Sequence, residues 1–262
     1  MSGDRKMNTV LKYPGSKWSM TDWIISNFPP GFEKMTYLEP YFGSGAVFFN
    51  KRRSIIETIN DLDGNVVNLF RVIREHPEEL ANLVAFTPWS RLEYRNSYKQ
   101  TGDSLEDARR FLVRMWMAIG AKSSDITGWR HWIVSNCGWA ESWVTKLPSN
   151  IIQISSRLQN ITGHVVQIEN QESIKLIKRF KKSRVFIYAC EMTDEDHIAF
   201  LETIVQHPGP VQISGYDNEM YQGVLQGWHI EQKKFKCESG KDRIETLWMN
   251  YKPDKRQLDL FL

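Results

Sequence analysis

Thr36-Tyr37-Leu38-Glu39-Pro40-Tyr41-Phe42-Gly43-Ser44-Gly45-Ala46-Val47-Phe48-Phe49 decides how this chain is read. A short apolar run breaks at a proline and two glycines and resumes with helical spacing. That pattern predicts a strand, a backbone turn without bulky side chains, and a helix. In open α/β sheets such a turn lies at the carboxyl end of a strand, where ligands bind. A second apolar run, Ile55-Ile56-Glu57-Thr58-Ile59-Asn60, closes on Asp61. Its carboxylate would project from a neighbouring strand end and suits a ribose diol. Taken alone, Gly43 and Gly45 are equally well explained by a tight βα turn.

Upstream, Lys12-Tyr13-Pro14-Gly15-Ser16-Lys17 reads as a turn leading into a helix over 20–28, ended by Pro29-Pro30-Gly31. Lys17, near that helix start, is placed for an anionic group, or is a solvated lysine after a Pro-Gly turn. Downstream, the spacing predicts a helix over 46–50, a strand over 54–60 and a helix over 64–75 with Val66, Leu69, Phe70 and Ile73 on one face. A further helix covers 77–84, and this βαβα alternation is the first half of a doubly wound sheet.

From residue 86 the pattern changes. Residues 105–116 form an amphipathic helix with Leu105, Ala108, Leu112, Met115 and Ile119 as its buried stripe and Arg109, Arg110 and Arg114 at the rim. Six of the ten tryptophans fall between positions 89 and 143, and no strand alternation runs through 120–146. A helical insertion followed by an irregular loop is expected there. The remainder reads as a helix over 151–158, strands over 165–169 and 185–189 around a helix over 173–180, and a helix capped by Thr193 with His197 on its surface. A strand over 211–217 and a hairpin of 235–237 with 244–250 complete it.

A chain of 262 residues can bury a substantial core in one large domain, or in one domain with an insertion. Its 41% hydrophobic and 25% charged residues are ordinary for a globular protein. No run approaches a membrane span, and Met1-Ser2-Gly3-Asp4-Arg5-Lys6 lacks a signal-peptide core, so a cytoplasmic location is expected. Cys137, Cys190 and Cys237 are widely spaced with no histidine at ligand spacing, which points to neither a disulfide framework nor a metal site. The net charge of +3 implies no polyanion partner by itself. Residues 86–150, however, hold nine Lys/Arg against six Asp/Glu, a surplus equal to that of the whole chain, so a basic surface is expected in that stretch.

Glu39-Pro40-Tyr41-Phe42-Gly43-Ser44-Gly45-Ala46-Val47-Phe48 resembles the S-adenosylmethionine loop of the Dam-type (D12 class) adenine-N6 DNA methyltransferases. Leu11-Lys12-Tyr13-Pro14-Gly15-Ser16-Lys17 resembles that family's first cofactor motif, and Asn60-Asp61 its ribose-binding acid, in the family's order. The resemblance implies an α/β fold: a doubly wound Rossmann-like S-adenosylmethionine-dependent methyltransferase sheet with an inserted, mainly helical target-recognition domain. Residues 1–85 and 161–252 would be the two parts of the methyltransferase domain, 86–160 the insertion and 253–262 a tail. It implies that Tyr13, Lys17, Glu39, Pro40, Phe42, Gly43, Ser44, Gly45 and Asp61 bind S-adenosyl-L-methionine. It further implies that double-stranded DNA is the partner, with an adenine flipped out for methylation. Lys122, Arg130, His131 and Asn136 are candidates for phosphate or base contacts, because cationic forks and amides read those groups. Aromatic residues packing a small core beside solvated arginines account for any one of them at least as well.

The family clamps the adenine amino group with Asp-Pro-Pro-Tyr after a strand, and that tetrapeptide is absent here. Arg184-Val185-Phe186-Ile187-Tyr188-Ala189 resembles the strand that feeds it, and Glu191-Met192-Thr193-Asp194-Glu195-Asp196-His197 the segment beyond it, joined directly through Cys190. Tyr188 and Ala189 therefore flank the expected catalytic site. One reading is a true deletion, leaving a catalytically inactive DNA- or cofactor-binding regulator. The other, favoured by the intact motifs on both sides, is a substrate loop absent from the sequence as printed. Cytosine-C5 methylation is disfavoured because no cysteine stands in a nucleophile setting. Gln257-Leu258-Asp259-Leu260-Phe261 resembles the peptide by which bacterial DNA-processing proteins dock on the replicative sliding clamp, through Gln257, Leu258, Leu260 and Phe261; the alternative is an amphipathic end folded on its own domain. A bacterial or phage enzyme, acting alone or beside a cognate restriction enzyme, fits the resemblance.

Overall fold

The structure is a computed structural model that describes residues 7–120, 126–133, 138–190, 197–236 and 242–254. A 3-10 turn, Trp18–Met20, runs into α1 (Thr21–Ser26), and a second, Phe32–Lys34, precedes β1 (Thr36–Glu39). Then follow α2 (Ala46–Asn50), β2 (Ile56–Asn60), α3 (Gly64–Glu75), α4 (Pro77–Ala85), α5 (Arg91–Asn96), α6 (Ser104–Met117), α7 (Gly138–Thr145) and α8 (Leu147–Leu158). The rest is β3 (Val165–Glu169), α9 (Ser173–Arg179), β4 (Val185–Cys190), α10 (His197–Ile204), β5 (Val211–Gly215), α11 (Glu219–Val224), β6 (His229–Lys236) and β7 (Asp242–Met249). The chain divides into two compact units. One comprises Met1–Trp18, Gly43–Asn50 and Asp63–Gln159; the other comprises Ser19–Phe42, Lys51–Leu62 and Asn160–Leu262.

The second unit holds a seven-stranded mixed sheet in the order β3-β2-β1-β4-β5-β7-β6. The strands from β3 to β5 are parallel, and β7 runs antiparallel to both β5 and β6. β1 lies between β2 and β4, so the strand order reverses there, and such a switch point opens a ligand crevice at the carboxyl ends of its strands. Glu39 and Cys190 end β1 and β4. Residues 185–189 read as an unbroken apolar run because both faces are covered. On one face Leu38, Ile187, Ala189, Ile213 and Trp248 pack with Leu176, Phe200, Leu201 and Tyr221 from α9, α10 and α11. On the other, Phe28 meets Phe186 edge-on at 4.6 Å, and Gln212 Nε2 donates to the Ile24 carbonyl of α1 at 3.0 Å. Beneath this layer the Lys51 ammonium pairs with Glu57, both side chains fully buried, and sits 3.9 Å from the Tyr37 ring centroid.

The first unit is helical. Asp63 caps α3 by accepting from the Asn65 N–H, and Val66, Leu69, Phe70 and Ile73 are buried as their spacing predicts. Asp103 caps α6 through the Leu105 and Glu106 N–H groups. Glu106 accepts from Arg109 and Arg110 at 2.7 Å each, and Arg109 reaches Glu93 at 2.8 Å. Tryptophan rings form a continuous array: Trp132 to Trp89 at 5.2 Å, Trp89 to Trp143 at 6.2 Å, then Trp143 to Trp116 and Trp116 to Trp139 at 6.0 Å each.

Several expectations need correcting. The 3.6-residue stripe of α6 holds for Ala108, Leu112 and Met115, but the helix stops at Met117 and Ala118 is extended, so Ile119 is 53% exposed. Arg114 is not a rim residue: it is 8% exposed, its guanidinium packed on the Tyr98 and Phe111 rings, and burial lowers its pKa. The stretch expected to be an irregular loop contains α7, anchored by fully buried Trp143, whose Nε1 donates to the Thr87 carbonyl at 3.2 Å. β2 starts at Ile56, α1 ends at Ser26, and β6 starts at His229, well before the expected hairpin arm. His197 is half-buried with Nδ1 3.1 Å from the Tyr221 hydroxyl, and Thr193 lies outside the described residues.

Candidate functional site

In the first unit, two loops far apart in sequence are stitched together. Tyr13-Pro14-Gly15-Ser16 closes a turn with Gly15 at φ 74° and the Ser16 N–H donating to the Tyr13 carbonyl at 3.2 Å, which is what Pro-Gly at a turn's centre favours. Gly43 and Gly45 adopt φ 50° and 67°, the left-handed region that only glycine enters at little cost. The Ser16 and Ser44 hydroxyls lie 2.8 Å apart, and Trp18 Nε1 donates to Ser44 Oγ at 3.2 Å. The Tyr13 ring lies against Gly43 so closely that a Cβ there would stand 3.1 Å from Tyr13 Cδ1. Lys17 is 8% exposed directly before the 3-10 turn. Trp116 Nε1 donates to the Val10 carbonyl at 2.8 Å, and the Lys12 ammonium sits 5.1 and 5.0 Å from the Trp116 and Trp139 ring centroids. The first motif is thus anchored on the helices of its own unit.

In the second unit, the exits of β1 and β2 are fixed by amides and a hydroxyl. The Pro40 carbonyl accepts from Asn60 Nδ2 at 3.0 Å and from Ser173 Oγ at 2.9 Å. The Phe42 N–H donates to the Asn60 carbonyl at 2.9 Å. Asn170 Nδ2 donates to the Asp61 carbonyl at 2.7 Å, holding the backbone that presents the half-buried Asp61. Glu39 is 3% exposed and accepts from the Tyr37 hydroxyl at 2.7 Å. Burial, reinforced by that carboxylate, pushes the Tyr37 pKa far up. At the end of β4, Tyr188 is buried with its hydroxyl 2.8 Å from Ser214 Oγ, and Ala189 is fully buried. Both mark the strand end without presenting a group to solvent. Burial, and then Cys190, raises the Tyr188 pKa. The junction 191–196 beyond it lies outside the described residues.

Of the expected nucleic-acid contacts, Lys122 and Asn136 lie outside the described residues, as do Gln257, Leu258, Leu260 and Phe261 of the tail. Arg130 is half-buried, its guanidinium 3.9 Å over the Trp139 ring and its carbonyl accepting from Trp89 Nε1 at 2.8 Å. His131 is exposed and stacked on Trp129 at 5.6 Å and 7°, with Arg91 on the same indole at 4.8 Å. Arg91 carried no sequence signal of its own. Nor did Asn170 and Ser173, which sit more than a hundred positions from the loops they hold. Among the described residues no group of three or more His, Cys, Asp or Glu is placed to hold a metal ion. No helix among them is long and apolar enough to cross a membrane.

Taken unit by unit, the residue types suit an adenosyl sulfonium ligand: the first unit holds a glycine turn with an aromatic ring packed on it and a lysine, and the second holds strand-end carboxylates. Residues 13–123 match the family described as D12 class N6 adenine-specific DNA methyltransferase. A DNA adenine methylase of Haemophilus influenzae is 37% identical over 71 residues, which cover 26% of this chain and 23% of that protein. The chain thus aligns with less than a quarter of that relative's length. Each match covers less than half of this chain, and what the chain is similar to there are adenine-specific DNA methyltransferases.

Proposed function

We propose that this chain methylates adenine N6 in duplex DNA, drawing the methyl group from S-adenosylmethionine. The observation that carries the reading is the loop pair of the first unit: Tyr13 to Lys17 and the glycine turn fall within the D12-class match, and the two loops are joined through Ser16, Trp18 and Ser44. When bound, the donor supplies an electrophilic sulfonium methyl. Gly43, Ser44 and Gly45 offer it a backbone without side-chain bulk, and Tyr13, Pro40 and Phe42 offer apolar surface. Lys17 complements a carboxylate and Asp61 a ribose diol, while Glu39 is oriented by Tyr37. Residues 1–85 and 161–252 belong, in this reading, to a doubly wound methyltransferase domain and 86–160 to a helical target-recognition insertion. Lys122, Arg130, His131 and Asn136 contact DNA there. The tail docks Gln257, Leu258, Leu260 and Phe261 on a sliding clamp, and Phe261→Ala abolishes clamp capture in a pull-down where the wild type binds. A cytoplasmic location and a companion restriction enzyme complete the proposal.

An adenine amino group needs acceptors that hold it as its lone pair leaves the ring, and Asp-Pro-Pro-Tyr would supply them. Its absence from the printed sequence favours one second reading, a catalytically inactive DNA- and cofactor-binding regulator. Tritiated-methyl transfer to adenine-containing duplex discriminates: incorporation supports the enzyme, while donor binding by calorimetry without incorporation supports the regulator. A folded sample that shows no heat with the donor or its demethylated product removes both.

A further inference from the structure

The β6–β7 hairpin reaches further than its place in the sheet requires. β7 pairs with β5 only as far as Gly215↔Thr246, whereas β6 and β7 stay paired through Lys236↔Asp242. Residues 242–245 therefore run past the carboxyl end of β5, by about 13 Å at the usual strand rise. Open α/β sheets take their ligands at that end. Lys233 and Lys234 on β6 and Arg243 on β7 are all exposed. Strand alternation sends Lys233 and Lys234 to opposite faces, so the arm is cationic on both. Two of its carboxylates are engaged or hidden: Glu231 lies 3.1 Å from His229 Nε2, and Glu245 is fully buried. Two clasps tie the arm to the exit of β5. Arg243 Nη1 donates to the Tyr216 hydroxyl at 2.8 Å with its guanidinium 5.1 Å over the ring, and Gln232 Nε2 donates to Asp217 Oδ2 at 3.3 Å.

Lysines on an edge strand also serve to block pairing with another chain. That accounts for Lys233 and Lys234 on β6, the outermost strand. It does not account for the clasps that tie the overhang to Tyr216 and Asp217. We propose that the β6–β7 arm is a phosphate-contacting surface for duplex DNA, built on Lys233, Lys234 and Arg243 and distinct from the contacts assigned to the helical insertion. The proposal rests on the DNA-methyltransferase reading above. Phosphates suit these residues because each is a point or fork of positive charge on a stiff ribbon.

The test is fluorescence anisotropy with a short adenine-containing duplex between about 50 and 200 mM salt, where each phosphate contact adds about 0.9 to the slope of log affinity against log salt. The triple variant Lys233→Gln, Lys234→Gln, Arg243→Gln is expected to lose about two to three from that slope and to bind roughly fivefold more weakly per lost contact at 0.15 M salt. Because Arg243 also forms a clasp, Lys234→Gln alone serves as the variant that leaves both clasps in place; its slope falls by about one. Unchanged slopes in both variants overturn the arm. New self-association with an unchanged slope assigns the lysines to edge protection and overturns it as well. A wild-type chain that ignores duplex DNA removes the arm and the reading beneath it together.

Discussion

Gly43→Ala tests the stitched loops most directly. At φ 50° a side chain is strained whatever the space around it, and here the added Cβ also meets Tyr13 Cδ1 at 3.1 Å and Cε1 at 3.4 Å. Left-handed backbone with a Cβ costs about 1–2 kcal/mol. A stiffer unfolded chain offsets about 0.4–1 kcal/mol of that. Gly102 has φ 81° with nothing within 4 Å of its Cβ position, so Gly102→Ala carries the strain without the contact. Displacing the Tyr13 ring from its rotamer adds about 0.5–1.5 kcal/mol, and this is the expected difference between the two variants in urea denaturation. Calorimetry with S-adenosylmethionine should show Gly43→Ala binding about tenfold more weakly, equivalent to roughly 1.4 kcal/mol, and Gly102→Ala binding like the wild type. If the two variants match in stability and in donor affinity, the ring-on-glycine contact has no part in the site.

The Arg109 guanidinium, aided by Arg110, holds the Glu106 carboxyl at about 2 against the opposing effect of burial. A depressed carboxyl pKa contributes stability above its unfolded value and loses it as pH falls, so the urea midpoint should drop between about pH 5 and pH 2, and Glu106→Gln should flatten that drop. Lys51→Met strands a fully buried Glu57 carboxylate and should cost about 3–5 kcal/mol, while pairing it with Glu57→Gln should recover part of the loss in the same denaturation series. Mass spectrometry of the native protein should read clearly above 30.7 kDa if the catalytic loop belongs to it; agreement with 30.7 kDa establishes the deletion.

The elements legible in the sequence are those whose burial and period coincide. α3 was readable to the residue, since its apolar face is continuous. β1, its glycine turn and α2 were readable for the same reason, the turn demanding glycine where the chain enters the left-handed region. α7 was hidden because its sequence, Gly138-Trp139-Ala140-Glu141-Ser142-Trp143-Val144-Thr145, has little helical preference; it is held by the packing of Trp143 among other indoles. β6 was hidden because an edge strand carries charge on both faces and shows no alternation. Ile119 misled because the helical period was extended past a helix end that no cap residue marks. Of the candidate site residues, Pro40 and Asp61 stood in the motifs, but the side chains that hold their carbonyls did not: Ser173 and Asn170 act from across the chain, and local pattern carries no sign of such partners.

The tryptophan array gives the helical unit an optical identity. Indoles whose centroids lie 5.2–6.2 Å apart couple their electronic transitions, so the near-ultraviolet circular dichroism of Trp89, Trp116, Trp132, Trp139 and Trp143 should be intense and lost together. The sheet unit absorbs through Trp23, Trp228 and Trp248 and tracks its melting through Trp248, 4.9 Å from Tyr221. One spectrum recorded during heating can therefore show whether the two units come apart in one cooperative step or in sequence.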